Sequence, residues 1–530
     1  MTPNPKSILQ GAAARKQILQ GARPLAQVVA TTYGPHGRTV LLDRASGLLA
    51  TKDGVTVARE VELEDPVENL GCKVLKDACI KVNNEVGDGT TTAAVLAGAL
   101  MEEGSRLAFA GLDVPQLVAG MRAAGHEVER LLSEMKQPAT TQEDLERIAL
   151  TASNGDKDIS AKLAEACLAV GKDGTITVED AHTPGVELVF HDGMVIDRGV
   201  ASATLLKGGT ERVLERPLVA VIGASLRTMA DVQDVMECAS QWPGSPLLIF
   251  ALDILGEALD TVVINDTRGV MQCVAVNSPG FHGRKQEMLK DIAALTGADY
   301  VNPEVGDNFH QWDAQWFGTL QKATVEGRKA TLVAAEGTGG LVTARIAEIR
   351  ARSESVSDYD TDRDNERIAK LSGGLAVLKV GGWTEAEMKE RRARIEDALG
   401  AVRAALEGGV LPGAGTAYIR AAVLLGPRST SDTAYDCGWG AVRKALSQPL
   451  TTLADNAGLP GVVLVDEVRA AAGWHGWDAL ANKVRNLRED PAVLDPCPVV
   501  ISALAAAVSA VSTLLTVEAS IVQSSSSVGS

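Results

Sequence analysis

The feature that most constrains this chain is a glycine-rich stretch at residues 87–92, Gly-Asp-Gly-Thr-Thr-Thr, which runs directly into an apolar segment. Its glycines let the backbone approach a ligand because no Cβ intervenes. Threonines at a helix start lie beside free N–H groups and the positive end of the helix dipole, which together accept phosphate. Asp88, between the glycines, is placed to hold a hard cation such as Mg2+. The stretch therefore predicts a nucleoside triphosphate site.

This site is not a P-loop, because the sequence G-x-x-x-x-G-K-[ST] does not occur in the chain. For the hexapeptide alone, an ordinary turn followed by a helix cap is an equal alternative, since turns and caps use the same residues. Two more glycine-rich turns, residues 32–38 and 51–57, favour the site. In the second, Asp-Gly between β-type runs predicts a hairpin with Asp53 at its tip. We expect one pocket lined by backbone amides and carboxylates.

Length and charge limit the function classes. A chain of 530 residues exceeds what one core usually supports, so two or three domains are expected. Its net charge of −17 argues against nucleic acid or an anionic membrane as a partner. Seven dispersed cysteines without a C-x-x-C pair predict free thiols rather than disulfides or a zinc cluster. Because the first ten residues also lack the apolar core of a signal peptide, we expect a cytoplasmic protein.

The pattern of apolar residues predicts how the chain is organised. Residues 6–135 indicate helices broken by the turns, whereas residues 188–324 alternate short strands with helices, as in an α/β domain. The uncharged segment 499–517 is diluted with alanine, serine and threonine and has no basic flank, so it predicts a buried helix rather than a membrane span. Residues 524–530 are rich in serine and predict a disordered tail.

A long helix is predicted after a capping box at residues 384–387. Its apolar stripe consists of Ile395, Leu399, Val402 and Leu406. Asp397 lies off that stripe, and its position alone favours a solvated carboxylate.

Several stretches resemble the group I chaperonins, the GroEL-like family, in the same order and spacing along nearly the whole chain. They are residues 32–35, 51–60, 87–92, 170–180, 257–259, 393–399 and 494–496. The resemblance implies an α/β multidomain fold and rings of seven subunits, single or double, that enclose a cavity for unfolded or partly folded polypeptides. The implied domains are a mostly helical equatorial ATPase domain (1–134 and 409–530), a small α/β intermediate domain (135–191 and 376–408) and an α/β apical domain (192–375).

The resemblance also implies the cofactors ATP and Mg2+, with K+ as a further candidate cation, and a role for each matching residue. Asp88 would hold Mg2+, while Asp53 and Asp397 would position or activate the attacking water. Asp397 would reach the nucleotide only after the intermediate domain swings down, which reverses its interpretation as a solvated carboxylate. The implied nucleotide-binding residues are Thr32, Tyr33, Gly34, Pro35, Lys52, Gly54, Gly87, Gly89, Thr90, Thr91, Thr92, Ser153, Gly413, Ala414, Asp478 and Asp495.

Departures from the family pattern occur around the nucleotide and between rings. Ala414 stands where the family usually has glycine, and Asp478 where it usually has Asn beside the adenine, which leaves base selectivity open. An ionic pair that helps join two rings is replaced by Thr451 and residues 459–460, so weaker ring–ring contact is expected.

The implied client groove departs further. Its matching positions are Val200, Thr204, Leu205, Gln233, Met236, Leu259, Val263 and Ile264. Val200, Thr204 and Leu205 stand where the family groove has aromatic residues, and Gln233 stands where it usually has leucine. Less apolar area predicts weaker or more selective capture, and it leaves dependence on a co-chaperonin lid open.

Two functions remain from the sequence. One is an ATP-driven folding machine, and the other is a divergent paralogue that serves as a scaffold for few partners. The intact acids Asp53, Asp88 and Asp397 favour the first, because a scaffold needs no such set. Without the resemblance, a small-molecule kinase would also fit a nucleotide site. A kinase would need a substrate pocket with a general base near the phosphates, and the sequence shows no such cluster beyond these acids.

Overall fold

The structure is a computed structural model that describes residues 6–523, apart from positions 45–46, 140, 154, 172–174, 182, 281–283, 354–363, 365–366, 369 and 373. The tail expected at residues 524–530 and the middle of the 170–180 stretch lie outside the described residues. The chain divides into two compact units, Met1–Glu165 with Trp383–Ser530, and Ala166–Gly382. The boundaries of the three implied domains, which divide the chain more finely than these two units, stay predictions.

Helices and strands are numbered along the chain. The helices are α1 Gly11–Ala30, α2 Gly54–Glu60, α3 Pro66–Val86, α4 Thr90–Phe109, α5 Val114–Met135, α6 Gln142–Ala152, α7 Lys157–Val170, α8 Ala230–Ala239, α9 Gly256–Thr267, α10 Arg284–Thr296, α11 Gly339–Ser353, α12 Glu385–Gly408, α13 Thr416–Leu425, α14 Thr433–Ala445, α15 Gln448–Asn456, α16 Gly461–Ala470 and α17 Cys497–Leu515. The strands are β1 Lys6–Gln10, β2 Val40–Arg44, β3 Gly47–Thr51, β4 Thr175–Asp180, β5 Gly185–His191, β6 Gly193–Ile196, β7 Glu211–Glu215, β8 Leu218–Leu226, β9 Leu247–Ile254, β10 Cys273–Asn277, β11 Tyr300–Val301, β12 Gly318–Glu326, β13 Ala330–Ala334, β14 Leu375–Gly381, β15 Val410–Pro412, β16 His475–Asp478, β17 Lys483–Asn486, β18 Leu494–Pro496 and β19 Ala519–Gln523.

The first unit is a helical bundle of α1, α3, α4, α5 and α17 around one core of mainly Ala, Val and Leu. Small residues let the helices approach closely. A Cβ at Gly21 of α1 would lie 1.9 Å from the Glu68 carbonyl oxygen, and one at Gly71 of α3 would lie 1.9 Å from the Ile18 carbonyl oxygen. Such backbone contact allows a dense core despite an aromatic content of only 3%.

Helix α17 confirms the predicted buried helix. Among the described residues it is the one helix long and apolar enough to cross a membrane, judged by length and composition. Most of its apolar side chains are buried in the core of the first unit, against α3, α4 and α5. The structure therefore accounts for its apolar character by packing inside the protein.

Short antiparallel strand pairs lie around this bundle. Strand β1 pairs with β19, β2 with β3, β15 with β18 and β16 with β17. The hairpin predicted at Asp53 is wrong, because the hairpin β2–β3 ends at Thr51 and Asp53 instead caps the following helix α2. The β-type residues had suggested strands on both sides of Asp-Gly, but the second run folds as the helical turn 54–60.

The second unit is built on an eight-stranded sheet. Its strand order is β10-β9-β8-β12-β13-β6, with β11 on β8 and β7 on β12, and β8, β9 and β10 are parallel. Helices α8 and α9 pack on one face, while α10 and α11 pack on the other. This arrangement confirms the α/β pattern predicted for residues 188–324. A smaller sheet, β4-β14-β5, belongs to the same unit.

Candidate nucleotide site

The glycine-rich turn at residues 87–92 joins α3 to α4 as predicted. Gly87 ends α3 with a left-handed φ of 75°, and Gly89 precedes α4 with φ of 96°. Helix α4 begins at Thr90, so its free amides face the turn. The Gly89 amide donates to Asp88 Oδ1 at 2.5 Å. Burial, and to a smaller extent the Asp53 carboxylate, raises the pKa of Asp88 above its usual range.

The turn at residues 32–38 lies against the start of α4. Thr92 Oγ1 donates to the Tyr33 hydroxyl at 3.0 Å, and burial raises the pKa of Tyr33. Gly34 has φ of 78°, and a Cβ there would lie 2.2 Å from Leu453 Cδ2. Thr32 is buried and donates to the Val29 carbonyl oxygen, whereas Pro35 is exposed. This turn is therefore fixed beside the threonines of α4.

Asp53 approaches the same place from the start of α2. Its carboxylate accepts hydrogen bonds from the Val55 amide at 3.1 Å and the Thr56 amide at 2.8 Å. A Cβ at Gly54 would lie 2.2 Å from Thr91 Oγ1, so the backbone at residue 54 lies directly on the first turn of α4. Lys52, just before it, is exposed.

Asp397 comes to this site from α12. The helix begins at the predicted cap, with Thr384 Oγ1 accepting from the Glu387 amide at 3.1 Å, and Ile395 and Val402 of the predicted stripe are fully buried. Burial, followed by Asp88 and Asp53, raises the pKa of Asp397 to about 8. Asp397 is half-buried, so it is not the fully solvated carboxylate that its position on the helix alone favours. Its proposed action on the attacking water stays a prediction.

A strand pair forms a further wall of the site. Strands β15 and β18 pair Leu411 with Asp495, and a Cβ at Gly413 would lie 3.0 Å from Asp495 Oδ1. Burial, followed by Asp88, raises the pKa of Asp495 to about 7. Ala414 adopts φ of 53°, a conformation that usually favours glycine, so the chain keeps the turn at the cost of local strain.

Asp478 does not present a free carboxylate for reading a base. Its Oδ1 accepts from the Leu480 and Ala481 amides, and its Oδ2 accepts from Arg485 Nε and Nη2 at 2.9 and 2.7 Å. Burial alone would raise the pKa of Asp478, but these hydrogen bonds hold that pKa below its usual range. The side chain is committed to the β16–β17 hairpin. Any contact with a base at this position would use the backbone instead.

Two placements were not expected from the sequence. His36 Nε2 lies 3.2 Å from the Ala479 carbonyl oxygen, which links the turn 32–38 to the β16–β17 hairpin. Gly400 of α12 lies against Gly87, and only the missing side chain in an otherwise regular helix could have signalled it. Ser153, by contrast, makes its hydrogen bonds locally, donating to the Leu150 and Asp156 carbonyl oxygens.

The implied client-binding residues lie around α8 and α9 of the second unit. Leu259 and Val263 are half-buried on α9, and Ile264 is 47% exposed. Thr204 and Gln233 are exposed. The remaining apolar positions differ: Leu205 and Met236 are buried in the core beneath, so they do not offer their side chains to a client here, and Val200 is half-buried.

Two apolar side chains of this surface were not predicted from the sequence. Leu255 precedes α9 and is 46% exposed, and Met229 precedes α8 and is 55% exposed. In the sequence, both could have been recognised as apolar residues that stand directly before the start of a helix.

The chemistry of the nucleotide site fits Mg2+ bound together with phosphate. No group of three or more His, Cys, Asp and Glu with ligand geometry occurs in the described part of the chain. Mg2+ usually uses one or two carboxylates plus substrate phosphates rather than an all-protein cage. Asp88, Asp397 and Asp495 all have raised pKa values, so a bound cation would stabilise their charged forms. The glycines leave space beside the free amides of α4.

Comparison with known proteins agrees with this geometry. The pattern of the TCP-1/cpn60 chaperonin family matches residues 25–525. Among solved structures, the crystal structure of the chaperonin gp146 from the bacteriophage EL 2 (Pseudomonas aeruginosa), in presence of ATP-BeFx, is similar with a TM-score of 0.72. The match covers 98% of this chain and 99% of that chain at 22% sequence identity, which shows the shared fold. The chain therefore has the chaperonin fold and belongs to the TCP-1/cpn60 chaperonin family.

Proposed function

We propose that this chaperonin is an ATPase that binds non-native polypeptides and promotes their folding through ATP binding and hydrolysis. The observation that carries the proposal is the convergence of Asp53, Asp88 and Asp397 at the start of α4, where three separate segments of the chain meet. A scaffold protein has no use for three half-buried carboxylates held close together, because their mutual repulsion destabilises the fold.

Each residue of the candidate nucleotide site has a separate role in the proposed hydrolysis. The amides and threonines at the start of α4 bind phosphate oxygens, and Asp88 holds Mg2+, which neutralises phosphate charge when bound. K+ is a second candidate cation. Asp53 is held by two backbone amides, so its carboxylate is fixed in direction and orients the attacking water. Asp397 would accept a proton from that water in its deprotonated form, which a bound cation would favour by lowering its pKa from about 8.

Assembly into a ring of seven, single or double, is part of the proposal. Two short strand pairs have free edges with exposed apolar side chains. In β2–β3, Leu41 is 71% and Leu48 is 78% exposed, and Ile8 and Ile521 are exposed in β1–β19. Two-stranded sheets are marginally stable alone, so pairing with another copy of the chain is favourable.

Client binding is proposed at the surface of α8 and α9. The exposed polar residues Thr204 and Gln233 reduce its apolar area, which supports selective capture and keeps the alternative of a dedicated scaffold for few partners. A co-chaperonin lid would need the same surface. The cytoplasm remains the proposed location.

One experiment separates the two functions. The purified protein is given a chemically denatured test enzyme, and both recovered enzyme activity and phosphate release are followed with and without Mg-ATP. A folding machine shows recovery that requires ATP, together with steady phosphate release. Binding of the denatured enzyme without phosphate release would contradict the proposal and support the scaffold.

A further inference from the structure

We propose that Gly400 is a positioning residue for hydrolysis: its missing side chain lets α12 dock directly on the turn at Gly87, and this docking places the Asp397 carboxylate beside Asp53 and Asp88. The inference rests on the proposed ATPase function and adds to it a residue that touches neither nucleotide nor water.

The contact between α12 and the turn is made by backbone on both sides. A Cβ at Gly400 would lie 2.6 Å from Gly87 Cα and 3.1 Å from the Gly87 carbonyl carbon and oxygen. In return, a Cβ at Gly87 would lie 2.5 Å from Gly400 Cα. Backbone atoms cannot rotate away as a flexible side chain can. Any side chain at residue 400 must therefore push α12 and the turn apart.

The turn cannot easily yield, because its conformation is fixed. Gly87, the C-cap residue that follows α3, has φ of 75°, and its amide donates to the Asn83 carbonyl oxygen at 2.8 Å. Residues other than glycine adopt this backbone conformation only with strain. We therefore expect α12, rather than the turn, to move.

The docked helix carries Asp397 to the acids. Asp397 and Gly400 are three residues apart and share one face of α12, while Asp88 directly follows Gly87. The same docking that closes Gly400 onto Gly87 therefore brings the two carboxylates together. The raised pKa of Asp397, caused by burial and then by Asp88 and Asp53, agrees with this geometry.

A second glycine holds the far end of α12. A Cβ at Gly408 would lie 2.1 Å from Pro498 Cγ at the start of α17. The helix is thus anchored at its C-terminal end independently of Gly400. A side chain at residue 400 should tilt α12 about that anchor, and Asp397, which lies further from the anchor, should move more than residue 400 itself.

The test uses size variants at one position and a matched control. Gly400→Ala and Gly400→Val add one and three carbon atoms at the contact. Gly440→Ala is the control, because Gly440 lies within helix α14 and a Cβ there would have no atom within 4 Å. Both alanine variants replace a glycine inside a helix and raise helix propensity to the same extent, so a loss of function in only one of them cannot come from propensity.

We expect kcat for ATP to fall about 10- to 100-fold in Gly400→Ala and further in Gly400→Val, because a displacement of about 1 Å at a reacting group can cost 100-fold. The dissociation constant for Mg-ATP should change less than about twofold, since the phosphate-binding residues stay in place. Gly440→Ala should match the wild-type protein in both quantities. Wild-type kcat in both Gly400 variants, or a loss of affinity in place of kcat, would overturn the inference and leave the ATPase proposal standing.

A second measurement does not depend on activity. Hydrogen exchange of the amides at residues 85–92 is measured in the nucleotide-free protein. It should be faster in Gly400→Ala than in the wild-type protein and unchanged in Gly440→Ala, because only the first variant lifts α12 from the turn. If the wild-type protein does not hydrolyse ATP, the proposed function and the hydrolytic role fail together. Unchanged exchange in Gly400→Ala would refute the docking contact itself.

Discussion

The candidate nucleotide site of the first unit and the α8–α9 surface of the second unit use side chains in opposite ways. In the first unit, close contacts at glycines fix the site, since Gly54 lies against the Thr91 side chain and Gly400 lies against the Gly87 backbone, and the acids are placed by these contacts. On the α8–α9 surface, Leu259, Val263 and Ile264 are partly exposed. A substitution is therefore expected to disrupt the first site sharply and to tune the second gradually.

Asp397→Ala offers the largest test of this contrast. We expect kcat for ATP to fall at least about 100-fold, since general bases contribute about 100- to 10,000-fold, while nucleotide affinity stays nearly unchanged. Steady-state phosphate release and equilibrium nucleotide binding measure the two quantities. Asp88→Ala is the comparison, because it should weaken Mg2+-dependent binding itself. Lost binding in Asp397→Ala, with normal turnover of the ATP that still binds, would contradict the assigned role.

The double variant Leu259→Ser with Val263→Ser tests the other region. Removing two half-buried apolar side chains from α9 should weaken capture of a denatured test protein at least about tenfold, given about 1.5–3 kcal/mol for each fully buried apolar side chain. ATP turnover should persist. Gln233→Leu is the opposite change at the same surface and should strengthen capture. Unaltered capture in both variants would place client binding elsewhere and favour the scaffold.

The raised pKa of Asp397 should make the stability of the first unit depend on pH, with an effect of a few degrees in Tm. Because the folded protein raises the pKa of Asp397 to about 8, it retains a proton that the unfolded chain loses near pH 4. The free energy of unfolding therefore falls as pH rises between these values. Asp397→Asn should raise Tm at pH 8 and have little effect at pH 4, as measured by calorimetry without Mg2+. Equal effects at both pH values would show that the charge is not responsible.

The smallest expected effect concerns contact between rings. An exposed ion pair contributes only about 0–1 kcal/mol, and the expected pair is replaced here near Thr451, although a ring would repeat the loss in each subunit. We expect single rings at low protein concentration in one nucleotide state. Mass measurement in solution with ATP and with ADP tests this, and a double ring that never dissociates in either nucleotide would count against it.

Local patterns in the sequence predicted much of this architecture. The start of α4 at Thr90, the cap and stripe of α12 and the buried helix α17 all follow from periodicity and capping residues. Asp53 was misplaced because Asp-Gly serves both as a hairpin turn and as a helix cap, and only the tertiary context decides between them. The partners of Asp478 and Gly400 could not be predicted, since Arg485 and Gly87 reach them through folding of segments that no local pattern relates.

The pairing of β1 with β19 has a consequence for how the protein is made. Residues 6–10 find their partners only at residues 519–523, almost the whole length of the chain later. At about 5–20 residues per second, a ribosome needs roughly half a minute to two minutes to deliver them. Helix α17, which packs against α3, α4 and α5, arrives equally late. The second unit, uninterrupted in sequence, can fold during synthesis, whereas the first unit cannot complete its core until α17 has been made.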